Sequence, residues 1–197
     1  MMIVRTFVRT IWIEQILLST GELAMQEVLL RYTICFCCCG DMVLMLYRSN
    51  APNRQRWNGL GGKLEPAETP LACVRREILE EASIDLQVAE RLHYAGIVTW
   101  NVGSDLLSPT GGMYAFIAQM PPDWPIWEGE RETEEGLLCW KPIEWVCDPG
   151  NLVVVSNIPR FLPLMLRKKS PQEYFCAYRG NELMHMVVRE LPEVAII

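Results

Sequence analysis

Three glutamates, Glu77, Glu80 and Glu81, stand at i, i+3 and i+4 in the stretch V-R-R-E-I-L-E-E-A. On a helix that spacing turns all three carboxylates to one face, where like charges repel by about 0.2–0.5 kcal/mol per exposed pair. Two readings follow. One is a solvated acidic face; the other is an oxygen-ligand set for a hard divalent cation, Mg²⁺ or Mn²⁺. Such a cation could bring positive charge to a small anionic substrate. The neighbourhood suits the second reading. Gly61-Gly62 carries no Cβ, so backbone carbonyls can approach a cation closely. Arg76 can pair with Glu68 across a turn and fix the preceding loop against the helix.

The element that must carry these groups is a helix over about Thr69–Ser83. Thr69 suits its N-cap and Pro70 its first position. Leu71, Val74, Ile78, Leu79 and Ala82 fall on a helical stripe that should face a core. Around it the chain reads as short strands. Leu29–Cys38 and Met42–Tyr47 flank the turn dipeptide Gly40-Asp41 and form a strand pair. Ser49–Asn58 is a polar loop. Ile84–Val88, His93–Trp100, Gly112–Gln119 and Gly136–Trp140 read as strands, and Met120–Trp127 as a Pro/Trp-rich loop. A last helix runs over about Asn157–Lys168, followed by strands at Tyr174–Tyr178 and Met184–Arg189. Mixed strands with helices predict an α+β fold, an α/β/α sandwich.

Composition bounds what this fold can do. The 197 residues are 50% hydrophobic and include seven Trp, enough for a substantial core. A net charge of −6 makes duplex nucleic acid a poor partner. Four of the eight cysteines, Cys35, Cys37, Cys38 and Cys39, lie in one apolar run and read as buried strand residues; no paired CxxC zinc frame is present. So many unpatterned thiols predict a reducing, cytoplasmic setting. Residues 1–24 form an N-terminal extension broken by Arg5, Arg9 and Glu14, short of the ~20 apolar residues that span a bilayer, so no membrane association is expected. Gly21-Glu22 can be encoded by a purine-rich string suited to a ribosome-binding site, which makes Met25 an alternative start, with 25–197 as the single domain.

The stretch from Gly62 to Ile84 resembles the Nudix box, G-x5-E-x7-R-E-U-x-E-E-x-G-U with U apolar. Gly62, Glu68, Arg76, Glu77, Ile78, Glu80, Glu81 and Ile84 match. Ser83 replaces the usual glycine. If that position needs positive φ, Ser is worse there than Gly by roughly 1 kcal/mol. The resemblance implies a Nudix fold, with a mixed sheet and a loop–helix–loop, and a hydrolase of nucleoside diphosphate linkages. It implies that Glu77, Glu80 and Glu81 bind Mg²⁺ (or Mn²⁺), with the Gly62 carbonyl and a carboxylate from a later loop. Glu135 is the candidate, with Glu134 its neighbour. Cations held there polarise bridging phosphates and lower the pKa of an attacking water, whose proton a carboxylate such as Glu81 accepts.

Beyond the box, Trp57–Lys63 (W-N-G-L-G-G-K), Arg31-Tyr32-Thr33, Leu92-His93 with Gly96 and Trp100, and Leu162–Lys169 are similar to the MutT-like, oxidised purine nucleoside triphosphatase group. That likeness implies 8-oxo-dGTP as substrate and a role in sanitising the nucleotide pool that protects DNA. It puts Asn58 on the purine edge, Thr33 on the pocket floor and Trp100 at an apolar wall. That group's W-P-D-D segment is replaced here by Val155-Ser156-Asn157-Ile158, so Asn157 is the expected base reader in its place. Arg48 and Lys63 are candidates to steer the phosphates, and equally plain surface charges. Other nucleoside diphosphate derivatives, such as ordinary NTPs, nucleotide sugars and dinucleoside polyphosphates, remain open, as does a non-catalytic nucleotide-binding role.

Overall fold

The computed structural model describes residues 10–14, 25–101, 106–168 and 170–191. The chain runs β1 (Thr10–Glu14), β2 (Met25–Cys39), β3 (Met42–Arg48), β4 (Trp57–Asn58), α1 (Pro70–Ala82), β5 (Arg91–Trp100), β6 (Gly111–Gln119), β7 (Arg131–Glu132), β8 (Gly136–Pro142), α2 (Ile143–Val146), α3 (Ile158–Arg167), β9 (Gln172–Arg179) and β10 (Glu182–Glu190). The strands form one mixed sheet in the order β10-β9-β5-β6-β2-β3-β8-β7, with β1 on β2 and β4 on β3. β2–β6 and β5–β9 are parallel and the other pairs antiparallel. Part of the N-terminal extension therefore joins the sheet, because Thr10–Glu14 pairs with Leu29–Met25. Residues 15–24, just before Met25, lie outside the described residues.

Strand alternation sorts the core into two layers. Cys35, Cys37 and Cys39 face α1 with Leu44, Leu46, Val74 and Ile78. Ile34, Phe36 and Cys38 face α3 with Phe161, Leu162 and Met165. This is the α/β/α sandwich expected of the pattern. Cys35, Cys37, Cys38 and Cys39 are buried strand residues as read, and all eight cysteines are unpaired. No helix among the described residues is long and apolar enough to cross a membrane.

Four readings need correction. Leu79 is 52% exposed, so the buried face of α1 is Cys73, Val74 and Ile78. Ile84–Val88 is not a strand. Asp85 caps a single 3-10 turn over Leu86–Val88, its Oδ1 accepting the Gln87 N–H at 2.9 Å. The Ser49–Asn58 loop ends in β4, because Trp57 and Asn58 pair with Tyr47 and Leu46. The Leu29–Cys38/Met42–Tyr47 hairpin is zipped only at its tip, Cys38–Val43 and Cys39–Met42, and then splays. Residues 57–64 fill the opening. They pair with β3 through β4 and with β2 through Leu60 and Gly62. That splay sets the Gly-rich strip beside Glu77 and Glu81 in the later turns of α1.

The Pro/Trp loop packs on the fold. Trp124 and Trp127 lie against the α1-side core, Trp127 meets Trp140 edge-on at 5.6 Å, and the Arg131 guanidinium sits 3.8 Å over the Trp127 ring. At the other side of the sheet, Thr99 donates to Glu173 (2.5 Å) and Arg189 closes on that carboxylate (3.3 Å), tying β5, β9 and β10 together just before Trp100.

Candidate active site

The cleft begins at α1. Thr69 accepts the Ala72 N–H at 3.1 Å as its N-cap, with Pro70 following. The helix ends at Ser83 with φ 56° and ψ 32°, and the Ser83 N–H donates to Leu79 O at 2.9 Å. The position does require the left-handed region that favours glycine.

Arg76 is the hub of the site. Its guanidinium takes Glu68 in a two-pronged grip (2.9 and 3.0 Å) and reaches Lys63 O at 3.2 Å, which fixes the loop to the helix. It also meets Glu77 at 2.9 Å and Glu80 at 3.0 Å, contacts that sequence reasoning did not foresee. Arg76 holds the Glu68 carboxyl below its ordinary range, and the carboxylates hold Arg76 firmly protonated. Glu81 faces elsewhere. It accepts the Gly61 N–H at 2.8 Å. Burial pushes its carboxyl up to about 8, with the charges of Glu77 and Glu135 adding and Arg48 opposing. Burial raises Glu77 too.

The two glycines leave room for their neighbours for different reasons. Gly61 has φ 130°, and a Cβ there would lie 2.5 Å from Thr33 O; a Cβ on Gly62 would run into the Glu77 carboxylate. The Gly62 carbonyl accepts the Thr33 N–H at 2.8 Å. The Gly61 carbonyl takes no hydrogen bond among the described residues.

A cleft of about 1100 Å³ runs from these groups across the end of the sheet. Glu77, Glu80, Glu81, Glu134 and Glu135 line one end, with Gly62, Lys63 and Arg48. The Glu135 carbonyl accepts the Ser49 N–H at 2.9 Å, which anchors its loop, and Arg48 donates to Pro52 O at 2.9 Å. Asn58, Thr33, Trp100 and Asn157 line the rest, so every predicted substrate residue meets this one cleft. Arg76 and Glu68 stand behind it. Thr33 is 3% exposed, and its hydroxyl lies 3.5 Å from the Cys73 thiol beneath α1. Ile34 and Met113 share the floor on the α3 face. Asn157 is 7% exposed and sits beside the Cys176 thiol.

No three acidic, His or Cys side chains among the described residues converge as a closed ligand set, because Arg76 draws Glu77 and Glu80 toward itself. The donor set nevertheless fits a divalent cation. Several carboxylates gather in the cleft, and burial together with the neighbouring charges of Glu77 and Glu135 raises Glu81.

Comparison with known proteins agrees with this geometry. The NUDIX domain family model matches residues 29–165, well over half of the chain. The chain belongs to the Nudix family. An oxidized purine nucleoside triphosphate hydrolase of Danio rerio is 31% identical over 140 residues, covering 71% of this chain and 79% of that protein. The mutator MutT protein of Bacillus halodurans superposes with a TM-score of 0.61 at 25% identity, over 81% of this chain and 97% of that one. The Nudix domain of Shewanella oneidensis NrtR, solved with ADP-ribose, shares the fold at a TM-score of 0.51 and 17% identity, over 70% and 86% of the two chains.

This Nudix chain is thus a pyrophosphohydrolase of a family that uses divalent metal ions. Sequence reasoning missed several groups on its cleft: Ile34, Arg54, Arg56, Met113, Tyr178 and Asn181. The two arginines carried a signal, since N-R-Q-R directly precedes the W-N-G-L-G-G-K strip. Tyr178 and Met113 carried none, because each looks like an ordinary strand residue.

Proposed function

We propose that this enzyme hydrolyses nucleoside triphosphates carrying oxidised purines, such as 8-oxo-dGTP, to the monophosphate and pyrophosphate, in the cytoplasm and in defence of the nucleotide pool. The observation that carries the reading is the lining of one cleft. Carboxylates and the Gly61-Gly62 strip line it together with Asn58, Asn157 and Trp100. The 31% identity to an oxidized purine nucleoside triphosphate hydrolase supports it.

In this reading Glu77, Glu80, Glu81 and Glu135 hold Mg²⁺, with Mn²⁺ as a substitute, and a glycine carbonyl joins them. Gly62 has one lone pair engaged by Thr33, so Gly61 stands beside it as a candidate. Bound Mg²⁺ supplies phosphate charge neutralisation and a more acidic water. With Mg²⁺ bound, Glu77 and Glu80 would be shared between the cation and Arg76, which would keep Glu68 and the loop in place. Glu81, oriented by the Gly61 N–H, accepts the proton of the attacking water. Arg48 and Lys63 lie along the path of the phosphates.

A second reading, another nucleoside diphosphate derivative as substrate, is favoured by the Val155–Ile158 segment, where Asn157 is spent partly on Cys176. The experiment is Mg²⁺-dependent turnover of 8-oxo-dGTP, 2-hydroxy-dATP, dGTP, dATP, ADP-ribose and diadenosine polyphosphates beside Glu81→Gln. A lead of orders of magnitude for 8-oxo-dGTP supports the first reading, and a lead for another compound supports the second. No turnover of any compound overturns both and points to a non-catalytic nucleotide-binding protein.

A further inference from the structure

Tyr178 has no part in the readings above, yet the fold takes trouble to place it. The parallel β5–β9 ladder ends at Trp100–Cys176. One residue further, the Asn101 side chain adds a rung of its own. Its Nδ2 donates to Tyr178 O at 2.8 Å, and the Tyr178 N–H donates to its Oδ1 at 2.6 Å. Asn101 is 5% exposed, and a buried carboxamide is tolerated only when its polar atoms are satisfied. Without that rung β9 would be free to leave β5 where the strand reaches the cleft. With it, the backbone of Tyr178 is held two residues beyond Cys176, the partner of Trp100.

The two rings share a face. Val98, Tyr174 and Cys176 belong to the α3-side core, and Tyr178 packs against that core. Trp100 follows Val98 by two residues, so alternation turns it the same way. Both side chains line the cleft together with Ile34 and Met113, and Tyr178 is only partly buried. Ser156 lies beside the phenol. A tyrosine that only filled core would need neither the two-sided backbone clamp nor an opening on the cleft.

We propose that Tyr178 is a specificity-determining residue, packing its ring against the nucleobase and reading one polar position on the base edge through its hydroxyl, with Ser156 as second partner. The proposal rests on the nucleotide-hydrolase reading. Burial pushes the phenol up to about 12, so it is a neutral donor and acceptor at any working pH. Asn101 is the positioning residue.

The test compares wild type with Tyr178→Phe and Tyr178→Leu on 8-oxo-dGTP, dGTP, dATP and 2-deoxyribose 5′-triphosphate, which has the phosphates and sugar but no base. Both kcat and KM are measured with Mg²⁺, and equilibrium binding of the same compounds is read from Trp fluorescence. The expected result is a change of about tenfold or more in the kcat/KM ratio between bases for Tyr178→Phe. Tyr178→Leu is expected to raise KM for all base-bearing compounds relative to the baseless one. An equal loss on all four compounds, or an unchanged ratio between bases, overturns the proposal while the hydrolase reading stands. Failure of the wild type to bind or turn over any of the nucleotides overturns both.

Discussion

Glu81 should make the metal-free protein less stable than a variant that cannot work. Its carboxyl is pushed from 4.5 to about 8, chiefly by burial, and its one hydrogen bond is to the Gly61 N–H at 2.8 Å. Glu81→Gln keeps an acceptor for that N–H and removes the charge. At about 1.4 kcal/mol per pH unit, the shift corresponds to about 5 kcal/mol. Glu81 is partly open to solvent, and screening reduces this to the order of 1–3 kcal/mol. The folded midpoint lies above the unfolded one. The neutral carboxyl therefore stabilises the fold fully below about 4.5, and that contribution is lost as pH rises toward 8. Glutamine imitates the neutral form at every pH and loses nothing.

The expected outcome is a Tm for Glu81→Gln about 3–10 °C above wild type at pH 8.5 in a chelator, with most of the gap gone at pH 5. Mg²⁺ should then reverse the order, by stabilising wild type far more than the variant. Thermal unfolding followed by circular dichroism reads all three conditions. A variant no more stable than wild type at pH 8.5, or one with an undiminished lead at pH 5, refutes the idea that an uncompensated Glu81 charge strains the empty site.

Arg76→Lys keeps a charge but cannot grip Glu68 with two prongs while reaching Glu77 and Glu80. Urea denaturation should show a loss of about 1–3 kcal/mol, and a loss below about 0.5 kcal/mol would demote the hub to a surface ion pair. Ser83→Gly should stabilise by roughly 1 kcal/mol at φ 56° without changing turnover; a destabilised variant would show that Ser83 has a role beyond its backbone. Gly62→Ala should fold, because its Cβ meets the movable end of Glu77, but it should lose about a hundredfold in Mg²⁺-dependent turnover as that carboxylate is displaced. Near-normal rates at saturating Mg²⁺ would remove Glu77 from the working set.

The two ends of the cleft were unequally readable, for a physical reason. Most of the acidic end comes from 23 consecutive residues whose helical period, cap and turn are local, so Glu68, Arg76 and the three glutamates could be placed against one another from spacing alone, while Arg48, Glu134 and Glu135 join it from other segments. Even there, the reach of Arg76 to Glu80 depended on side-chain direction, and Leu79 looked buried because a stripe of apolar residues cannot say which edge the sheet covers. The splay of β2 from β3 left no periodic trace, since Leu60–Leu64 pairs through alternate residues of a strip rich in glycine. The part of the cleft proposed to take the base draws Ile34, Trp100, Met113, Asn157 and Tyr178 from five separate segments. Their meeting is fixed by the β2–β6, β5–β6 and β5–β9 registers, which no short-range pattern encodes. On the proposed reading, substrate choice would therefore reside where sequence spacing is silent, and a change of one register at β9 would alter what the enzyme recognises while leaving Glu77, Glu80 and Glu81 in place.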